Sequence, residues 1–425
     1  MKRIAIFIDG TWNRPDAEHP TNVVRMSRCI FGSDADGNTQ QVIYSPGVGS
    51  GTGNNWLGRK MDTIFGGALG WGVLNLIEDV YRDLVFAYEP GDEIYIFGFS
   101  RGGFAARSLA GLIRSCGIPP RRHIGRIPQA IARYVSRDKD TKPDDPSSYL
   151  FREDFAPYTA TSDAEFKWRI DRGDTGAVNL KIAYLGIWDT VKALGIPAFL
   201  PGAKRFNAQY QFHDADLSRS VSAARHAIAI DERRKTFPAA PWANLDRLND
   251  GDETRETPLY MQQWFPGNHG SVGGGGSRVG LSSVPLIWVT KGAENAGLRI
   301  DWGEFDRVAI RFDPVKEALD NKFGPVGLSG LLLNGLQTDR DGPKEVEDIA
   351  VATLDRLNAD PGYRPASLNF VKDDLEGRAA SELAALRDFL IARDAGPTHE
   401  VDSTLRPRGW EAPRNAALPS DDQTS

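Results

Sequence analysis

One serine in this sequence stands in a pattern that is typical of a catalytic nucleophile. Residues Gly98-Phe99-Ser100-Arg101-Gly102 match G-x-S-x-G, which places the serine on a sharp turn between a strand and a helix. The two glycines are needed where a side chain would collide with the adjoining strand and helix. Because such a turn holds the hydroxyl clear of the sheet, we predict that Ser100 is a nucleophile.

The flanking sequence supports this prediction. Pro90-Gly91 is a turn signal, Glu93 to Phe97 is rich in β-formers, and a buried-helix spacing follows the pattern. That spacing is carried by Phe104, Leu109, Leu112 and Ile113. Without such flanks, the same pattern would fit a glycine-serine loop that has no chemistry.

A serine hydroxyl is a poor nucleophile until a base takes its proton, and that base needs an acid to orient it. Among six histidines, His269 is the predicted base. It follows the strand-like segment Tyr260 to Phe265 and the turn Pro266-Gly267-Asn268, and precedes Gly273 to Gly276. It therefore lies in a loop beyond a strand end. The alternative is a structural histidine that binds loop carbonyls.

The other histidines are weaker candidates. His226 is the rival, on a predicted helix with Val221, Ala224 and Ile228, where a buried structural histidine is favoured. The remaining four lie in polar, irregular or tail sequence: His19, His123, His213 and His399.

Asp189 is the predicted acid. It stands with Thr190 at the carboxyl end of the apolar segment Lys181 to Trp188, and active-site residues of open α/β sheets gather at such ends. The alternative is a helix N-cap. Ser100, Asp189 and His269 then occur in the order serine, acid, histidine.

An oxyanion needs two backbone N–H donors. Arg101, directly after the serine, is the first predicted donor. The second is Gly10 or Thr11 in Asp9-Gly10-Thr11-Trp12-Asn13, which follows the first strand. The alternative is an ordinary strand-end turn in which Asp9 caps backbone groups.

The surrounding elements predict an α/β protein with a mostly parallel sheet and helices on both faces. The predicted strands are Arg3 to Ile8, Gln41 to Tyr44, Glu93 to Phe97, Leu180 to Trp188 and Thr257 to Phe265, with a helix from Trp71 to Tyr88. We expect one catalytic domain over residues 1–394, with insertions at about 119–176, 195–216 and 313–370. A tail over 395–425, rich in Pro, Arg, Asp and Ser, is expected to be disordered.

Composition excludes several classes of protein. The 51 basic and 57 acidic residues are interspersed and give a net charge of −6, so no nucleic-acid partner is expected. Cys29 and Cys116 fit neither a disulfide framework nor a zinc site. Gly47 to Gly53 and Gly273 to Gly276 do not fit a phosphate-binding loop. The acids Asp250, Asp252 and Glu253 are interpreted as part of a solvated loop, so we expect no metal site. We also expect no cofactor.

The apolar segments also bear on localisation. The run before Asp9 is too short for a secretory signal, and no apolar window reaches membrane-spanning length. We expect cytoplasmic synthesis, with export only by a route that needs no signal peptide. The stretch Phe323 to Leu336 is interpreted as a core helix, with a lipid-contacting lid as the alternative.

Six ordered segments carry a resemblance to a known family. They are Phe7 to Asn13, Tyr44 to Gly49, Gly98 to Gly102, Leu185 to Val191, His226 to Glu232 and Trp264 to His269. In these segments the chain resembles the α/β hydrolases related to type VI secretion phospholipase effectors. Two departures are Ser271, where the family usually has an acid, and Gly103, which replaces a common alanine.

The resemblance implies an α/β-hydrolase-like fold and a serine lipase or esterase with Ser100, Asp189 and His269 as its triad. It also implies phospholipid substrates, peripheral membrane contact and delivery on a secretion-spike carrier protein. The leading hypothesis is hydrolysis of lipid acyl esters through an acyl-enzyme on Ser100. The alternatives are a soluble carboxylesterase or thioesterase, and a non-catalytic binding module on a hydrolase scaffold.

Overall fold

The computed structural model describes residues 1–10, 13, 15–34, 37–47, 67–136, 138–191, 216–235, 237–250, 257–308, 313–319 and 337–395. Several predictions fall outside these residues: the oxyanion donor Thr11, the lid candidate Phe323 to Leu336, and residues 396–425 of the predicted tail. Most of the predicted insertion 195–216 also lies outside them, as do His213 and His399.

The strands of the described chain are short and mostly buried on both faces. They are β1 (Arg3–Ile8), β2 (Gln40–Ser45), β3 (Glu93–Phe99), β4 (Thr159–Ala160), β5 (Val178–Asn179), β6 (Ile182–Trp188), β7 (Ala224–Ala229) and β8 (Tyr260–Phe265). The five strands predicted from the sequence are among these, with ends that differ by a few residues.

The α-helices alternate with the strands and then follow them. They are α1 (Asn22–Ser27), α2 (Gly67–Ala87), α3 (Arg101–Cys116), α4 (Ile127–Val135), α5 (Pro146–Phe155), α6 (Asp163–Asp171), α7 (Leu245–Asn249), α8 (His269–Gly273), α9 (Ser283–Asn295), α10 (Trp302–Val308), α11 (Val351–Ala359), α12 (Lys372–Gly377) and α13 (Ala380–Ala395). No helix within the described residues is both long and apolar enough to cross a membrane.

Six strands form one sheet in the order β2-β1-β3-β6-β7-β8, and every pairing in it is parallel. The chain runs from β1 to one side and then returns to place β3 on the other side. This reversal opens a crevice beyond the carboxyl ends of β1 and β3, where open α/β sheets bind ligands. The predicted parallel α/β fold is therefore confirmed.

Hydrophobic layers cover both faces of the sheet because successive side chains of a strand point to opposite sides. In β1, Ile4, Ile6 and Ile8 pack with α2 and α3, whereas Ala5 and Phe7 pack with α1 and α9. A third cluster joins β7 and β8 to α11 and α13 through Ile228, Trp264, Leu354 and Leu390. The helices α11 and α13 therefore pack beside β7 and β8, the last two strands of the sheet order.

The predicted insertion at 119–176 forms α4, α5 and α6 beside α3. Its centre is an ion-pair cluster in which Glu165 binds Arg152 at 2.8 Å and Arg169 at 2.9 Å, with all three side chains fully buried. Glu165 also accepts the Thr161 N–H at 2.8 Å. A paired cluster of this kind holds α5 and α6 in one arrangement.

The helix predicted around His226 is wrong, because these residues form β7. All six residues of this strand are buried, including the polar Arg225 and His226. A strand that is buried on both faces lacks the alternation of polar and apolar residues that would identify it, and the spacing of Val221, Ala224 and Ile228 matched helical periodicity by chance.

Candidate active site

Ser100 has the backbone of a strained strand-to-helix turn. Its φ is 58° and its ψ is −123°, a region that non-glycine residues rarely adopt. A side chain at Gly98 would overlap the Gly102 carbonyl, and one at Gly102 would overlap the carbonyls of Ile8 and Asp9. The two glycines of the pattern therefore allow α3 to begin directly against the ends of β1 and β3.

The alanine-to-glycine departure at position 103 has a local explanation. A methyl group on Gly103 would overlap Thr190 Oγ1, and Thr190 follows Asp189 at the end of β6. Glycine at this position leaves room for the threonine side chain beside the first turn of α3.

His269 binds Asp189 directly. The distance from His269 Nδ1 to Asp189 Oδ2 is 2.6 Å, and both side chains are buried. Asp189 reaches this position from the end of β6, and His269 from the first residue of α8, which follows β8. Because Nδ1 is held by the carboxylate, Nε2 is the nitrogen left for proton transfer.

Ser100 lies next to this pair through the strand register. Phe99 pairs with Trp188, and the Ser100 N–H donates to Trp188 O at 3.1 Å, so Ser100 and Asp189 end neighbouring strands. The Phe99 ring packs on His269 with centroids 4.6 Å apart, and Phe237 packs on it at 4.8 Å. Among the hydrogen bonds of the described residues, none joins Ser100 Oγ to His269 Nε2.

Arg340 also binds Asp189, and sequence reasoning missed it. Its Nη1 donates to Oδ1 at 2.6 Å and its Nη2 to Oδ2 at 3.0 Å. The Ala229 N–H donates to Oδ1 at 2.8 Å. Asp189 therefore accepts four hydrogen bonds while fully buried, counting that of His269.

These contacts set the charge states of the pair. Burial alone would raise the pKa of Asp189, but the Arg340 charge and the His269 hydrogen bond hold it well below its usual range. Burial lowers the pKa of His269, against the opposing influence of Asp189 and Glu232. The arrangement therefore favours an ionised carboxylate beside a neutral imidazole.

Glu232 and Arg234 form an ion pair that contacts the backbone of His269. Glu232 Oε2 accepts the backbone N–H of His269 at 3.2 Å, and Arg234 donates to both Glu232 carboxylate oxygens at 2.8 Å. Glu232 supplies a buried acid near the histidine, although Ser271 stands where the family usually has one. The Ser271 hydroxyl donates to Leu319 O at 2.7 Å and so helps to fix the loop.

The turn after β1 is organised around the Asp9 carboxylate. The Gly10 N–H donates to Asp9 Oδ1 at 2.7 Å, so this predicted oxyanion donor already has an acceptor. Asp9 also accepts from Asn13 Nδ2 at 3.1 Å, Thr21 Oγ1 at 2.8 Å and Tyr44 at 3.0 Å. Burial raises the pKa of Asp9 to about 6, against the lowering effect of these hydrogen bonds.

The same turn brings a second polar group to the serine. A methyl group built on Gly10 would lie 2.8 Å from Asn13 Nδ2 and 3.2 Å from Ser100 Cβ. The Asn13 amide and the Ser100 side chain therefore lie on the same side of Gly10, and both residues are buried. Arg101 is the first residue of α3, a position whose N–H has no acceptor within the helix.

The rival His226 is buried in β7 and takes no part in the His269–Asp189 contact. Its Nε2 accepts the Thr190 N–H at 3.3 Å, and its ring packs edge-on against Trp242. Burial lowers the pKa of His226 to about 3, so the ring is neutral. In the part of the chain that the structure describes, no group of three or more His, Cys, Asp and Glu side chains could hold a metal ion.

Comparison with known proteins assigns the family. The family described as "T6SS, Phospholipase effector Tle1-like, catalytic domain" matches residues 2–292, which is more than half of the chain and contains Ser100, Asp189 and His269. The chain belongs to this family. Arg340 lies beyond the matched segment.

Individual relatives are distant. An uncharacterized protein of Saccharomyces cerevisiae is 28% identical over 249 residues, which are 56% of this chain and 32% of that protein. The structure of the Tle1 effector bound to the VgrG spike from the type 6 secretion system is 19% identical, with a TM-score of 0.35, and the match covers 66% of this chain and 52% of that one.

A crystal structure of an uncharacterized protein from Pseudomonas aeruginosa is 17% identical, with a TM-score of 0.37, and the match covers 95% of this chain and 61% of that one. The chain therefore spans less than two thirds of each of these relatives.

Proposed function

We propose that the chain is a serine hydrolase that cleaves acyl esters of lipids, with Ser100, Asp189 and His269 as its triad. The observation that carries this proposal is the 2.6 Å contact between His269 and Asp189, beside a serine on a strained turn at the same sheet edge. Membership of a phospholipase effector family supports the choice of lipid. The chemistry is thereby tied to named residues.

In the proposed reaction, His269 Nε2 takes the Ser100 hydroxyl proton as Oγ attacks the acyl carbonyl carbon. The tetrahedral intermediate collapses, the ester bond breaks, and the leaving alcohol receives the proton from His269. Water then attacks the acyl-enzyme, His269 accepts its proton and returns it to Oγ, and the fatty acid leaves. Asp189 stabilises the imidazolium form in each step.

The oxyanion requires donors near Ser100. We assign the first to the Arg101 N–H at the start of α3. The Gly10 N–H donates to Asp9, so we assign the second to the Asn13 side-chain amide, whose other hydrogen bond to Asp9 holds it in place. Thr11 lies outside the described residues.

The proposal extends to a carrier. The Tle1 effector has been solved bound to a VgrG spike, and the family description places its members in type VI secretion. We propose that this chain is also delivered by a spike-type carrier and acts at a membrane surface after leaving the cytoplasm.

The test compares wild-type chain, Ser100→Ala and Ser108→Ala on phospholipid vesicles and on a short-chain ester below its aggregation limit. Ser108 is a matched control because it is a buried serine of α3 outside the proposed site. We expect fatty acid release from vesicles by wild type and Ser108→Ala, and none above background by Ser100→Ala.

The two substrates separate the alternatives. An enzyme with the proposed lipid preference is activated by vesicles relative to the monomeric ester. Equal or better turnover of the monomeric ester would instead identify a soluble esterase. Wild-type turnover no greater than that of Ser100→Ala on both substrates would identify a non-catalytic module.

A further inference from the structure

Each of the three guanidinium nitrogens of Arg340 donates hydrogen bonds around Asp189. Besides Asp189, it donates to Ala229 O at 2.9 Å, and its Nε and Nη2 donate to Phe237 O at 3.2 and 2.7 Å. The Arg340 side chain is 4% exposed and that of Asp189 is fully buried. A planar fork held in this way fixes both the position and the orientation of the carboxylate.

The segment that carries Arg340 is anchored close to the site. The Thr338 N–H donates to Arg233 O at 2.8 Å, and Arg233 pairs with Asp339 at 2.9 Å. Gln337 forms an antiparallel bridge with Arg234, whose side chain binds Glu232 beside His269. The segment therefore runs along the turn that follows β7.

We infer that Arg340 is a positioning residue of the triad: it fixes the Asp189 carboxylate, and its positive charge offsets the negative charge that this carboxylate presents to the His269 ring. The inference rests on the proposed function, since it gives His269 the role of base for Ser100. It also assigns a catalytic contribution to a segment that lies outside the family match.

The Asp189 carboxylate acts on His269 differently with and without Arg340. A lone buried Asp189 would favour the charged imidazolium and would keep His269 protonated to higher pH. Paired with Arg340, the carboxylate belongs to an ion pair with almost no net charge. The imidazolium form of His269 is therefore stabilised less than it would be beside a lone carboxylate. The ring then remains neutral, and able to accept the serine proton, at lower pH.

Other charged groups near the ring do not replace this effect. Glu232 faces His269 from the turn after β7, but Arg234 binds both of its carboxylate oxygens. His226, a residue of β7, lies near Asp189, and burial keeps the His226 ring neutral. Two ion pairs, Asp189 with Arg340 and Glu232 with Arg234, therefore lie beside His269, and only Asp189 of the first pair contacts a ring nitrogen.

The experiment measures the pH dependence of kcat/KM on a soluble ester for wild type, Arg340→Gln, Arg340→Lys and Arg233→Gln. We expect Arg340→Gln to move the acid limb about one pH unit upward and to lower kcat at the plateau. Arg340→Lys should keep the acid limb near that of wild type because the positive charge remains. Its kcat should fall because lysine cannot make the bidentate contact with Asp189. Arg233→Gln breaks the neighbouring anchor pair and should keep the wild-type limb.

Thermal unfolding of each variant separates folding from chemistry. Unmoved acid limbs in both Arg340 variants would overturn the inference and leave Arg340 a purely structural residue. If Arg340→Gln does not fold, Arg340→Lys decides: wild-type kcat with a wild-type limb would overturn it. Ser100→Ala runs in the same series, and full activity of that variant would overturn the proposed function instead.

Discussion

Ser100 and Asp189 end neighbouring parallel strands, and they are the two non-glycine residues of the described chain with positive φ, at 58° and 35°. Backbone in this region costs energy and persists only where the surrounding structure enforces it. Here the enforcement is visible: glycines admit the start of α3 beside Ser100, and Asp189 is held by His269, Arg340 and Ala229. The two strained residues therefore lie side by side at one edge of the sheet.

The tight start of α3 predicts unequal costs for two alanine substitutions. Gly102→Ala should destabilise the fold by about 3 kcal/mol or more, because its methyl group meets backbone carbonyls. Gly103→Ala should cost about 1–3 kcal/mol, because it meets a side chain. Urea unfolding gives both free energies.

The second clash has a specific remedy. Adding Thr190→Ala to Gly103→Ala should recover most of the lost stability, since the offending Oγ1 is removed. Thr190 Oγ1 has no hydrogen-bond partner within the described residues, so Thr190→Ala alone should be nearly neutral. Strictly additive effects in this double-mutant cycle would contradict the packing explanation.

The charge state of His269 predicts the acid limb of activity. The base must be neutral to accept a proton, and burial lowers its pKa. Activity should therefore persist as pH falls and decline with an apparent pKa below the ordinary imidazole value of about 6.5.

A kcat/KM profile between pH 4 and 8 would show this limb. Burial raises the pKa of Asp9 to about 6, so Asp9 titrates in the same range, and the profile should also be measured on Asp9→Asn. A limb that is unchanged in Asp9→Asn belongs to the histidine. A limb above the ordinary imidazole range would contradict the description of the site.

The assigned oxyanion donor predicts a loss confined to the chemical step. Asn13→Ala should lower kcat by roughly 10²–10³ with little change in KM, as removal of one such donor does elsewhere. Steady-state measurement of kcat and KM for wild type and Asn13→Ala, with thermal unfolding of both proteins, tests this prediction. A lower unfolding temperature with an unchanged kcat would show that Asn13 only holds the Asp9 turn.

The buried cluster at Glu165 predicts a stability effect without a catalytic one. Glu165→Ala leaves the guanidinium groups of Arg152 and Arg169 buried without their carboxylate and should cost about 3–5 kcal/mol. Lys167→Ala, on the same helix, breaks an exposed pair with Asp171 and should cost less than about 1 kcal/mol. Equal effects of the two substitutions would contradict the role given to the cluster.

Local sequence patterns were sufficient for the parts of the site that follow from local geometry. The turn at Ser100 depends on two glycines within five residues, and Asp189 and His269 follow apolar strand segments. Strand ends of a parallel sheet share one edge, so these residues could be brought together before any coordinates were known. The role of each in catalysis stays a prediction.

Long-range partners could not be found in this way. Arg340 lies 151 residues from Asp189, and its neighbours Asp339 and Asp341 are typical of a solvated loop. The hydrogen bond of Gly10 was hard to foresee for a related reason: whether its N–H faces a substrate or the Asp9 carboxylate depends on one side-chain rotamer. Asp9 capping backbone groups was the alternative left open by the sequence, and the structure shows that hydrogen bond.

Covalent labelling shows directly whether Ser100 is the nucleophile. Wild-type chain and Ser100→Ala are treated with a fluorophosphonate probe, and the modified residue is identified by peptide mass spectrometry, with Ser108→Ala as the matched control. We expect wild type and Ser108→Ala to carry the label on Ser100 and Ser100→Ala to carry none. Undiminished labelling of a folded Ser100→Ala, or a label on another residue of the wild type, would contradict this expectation.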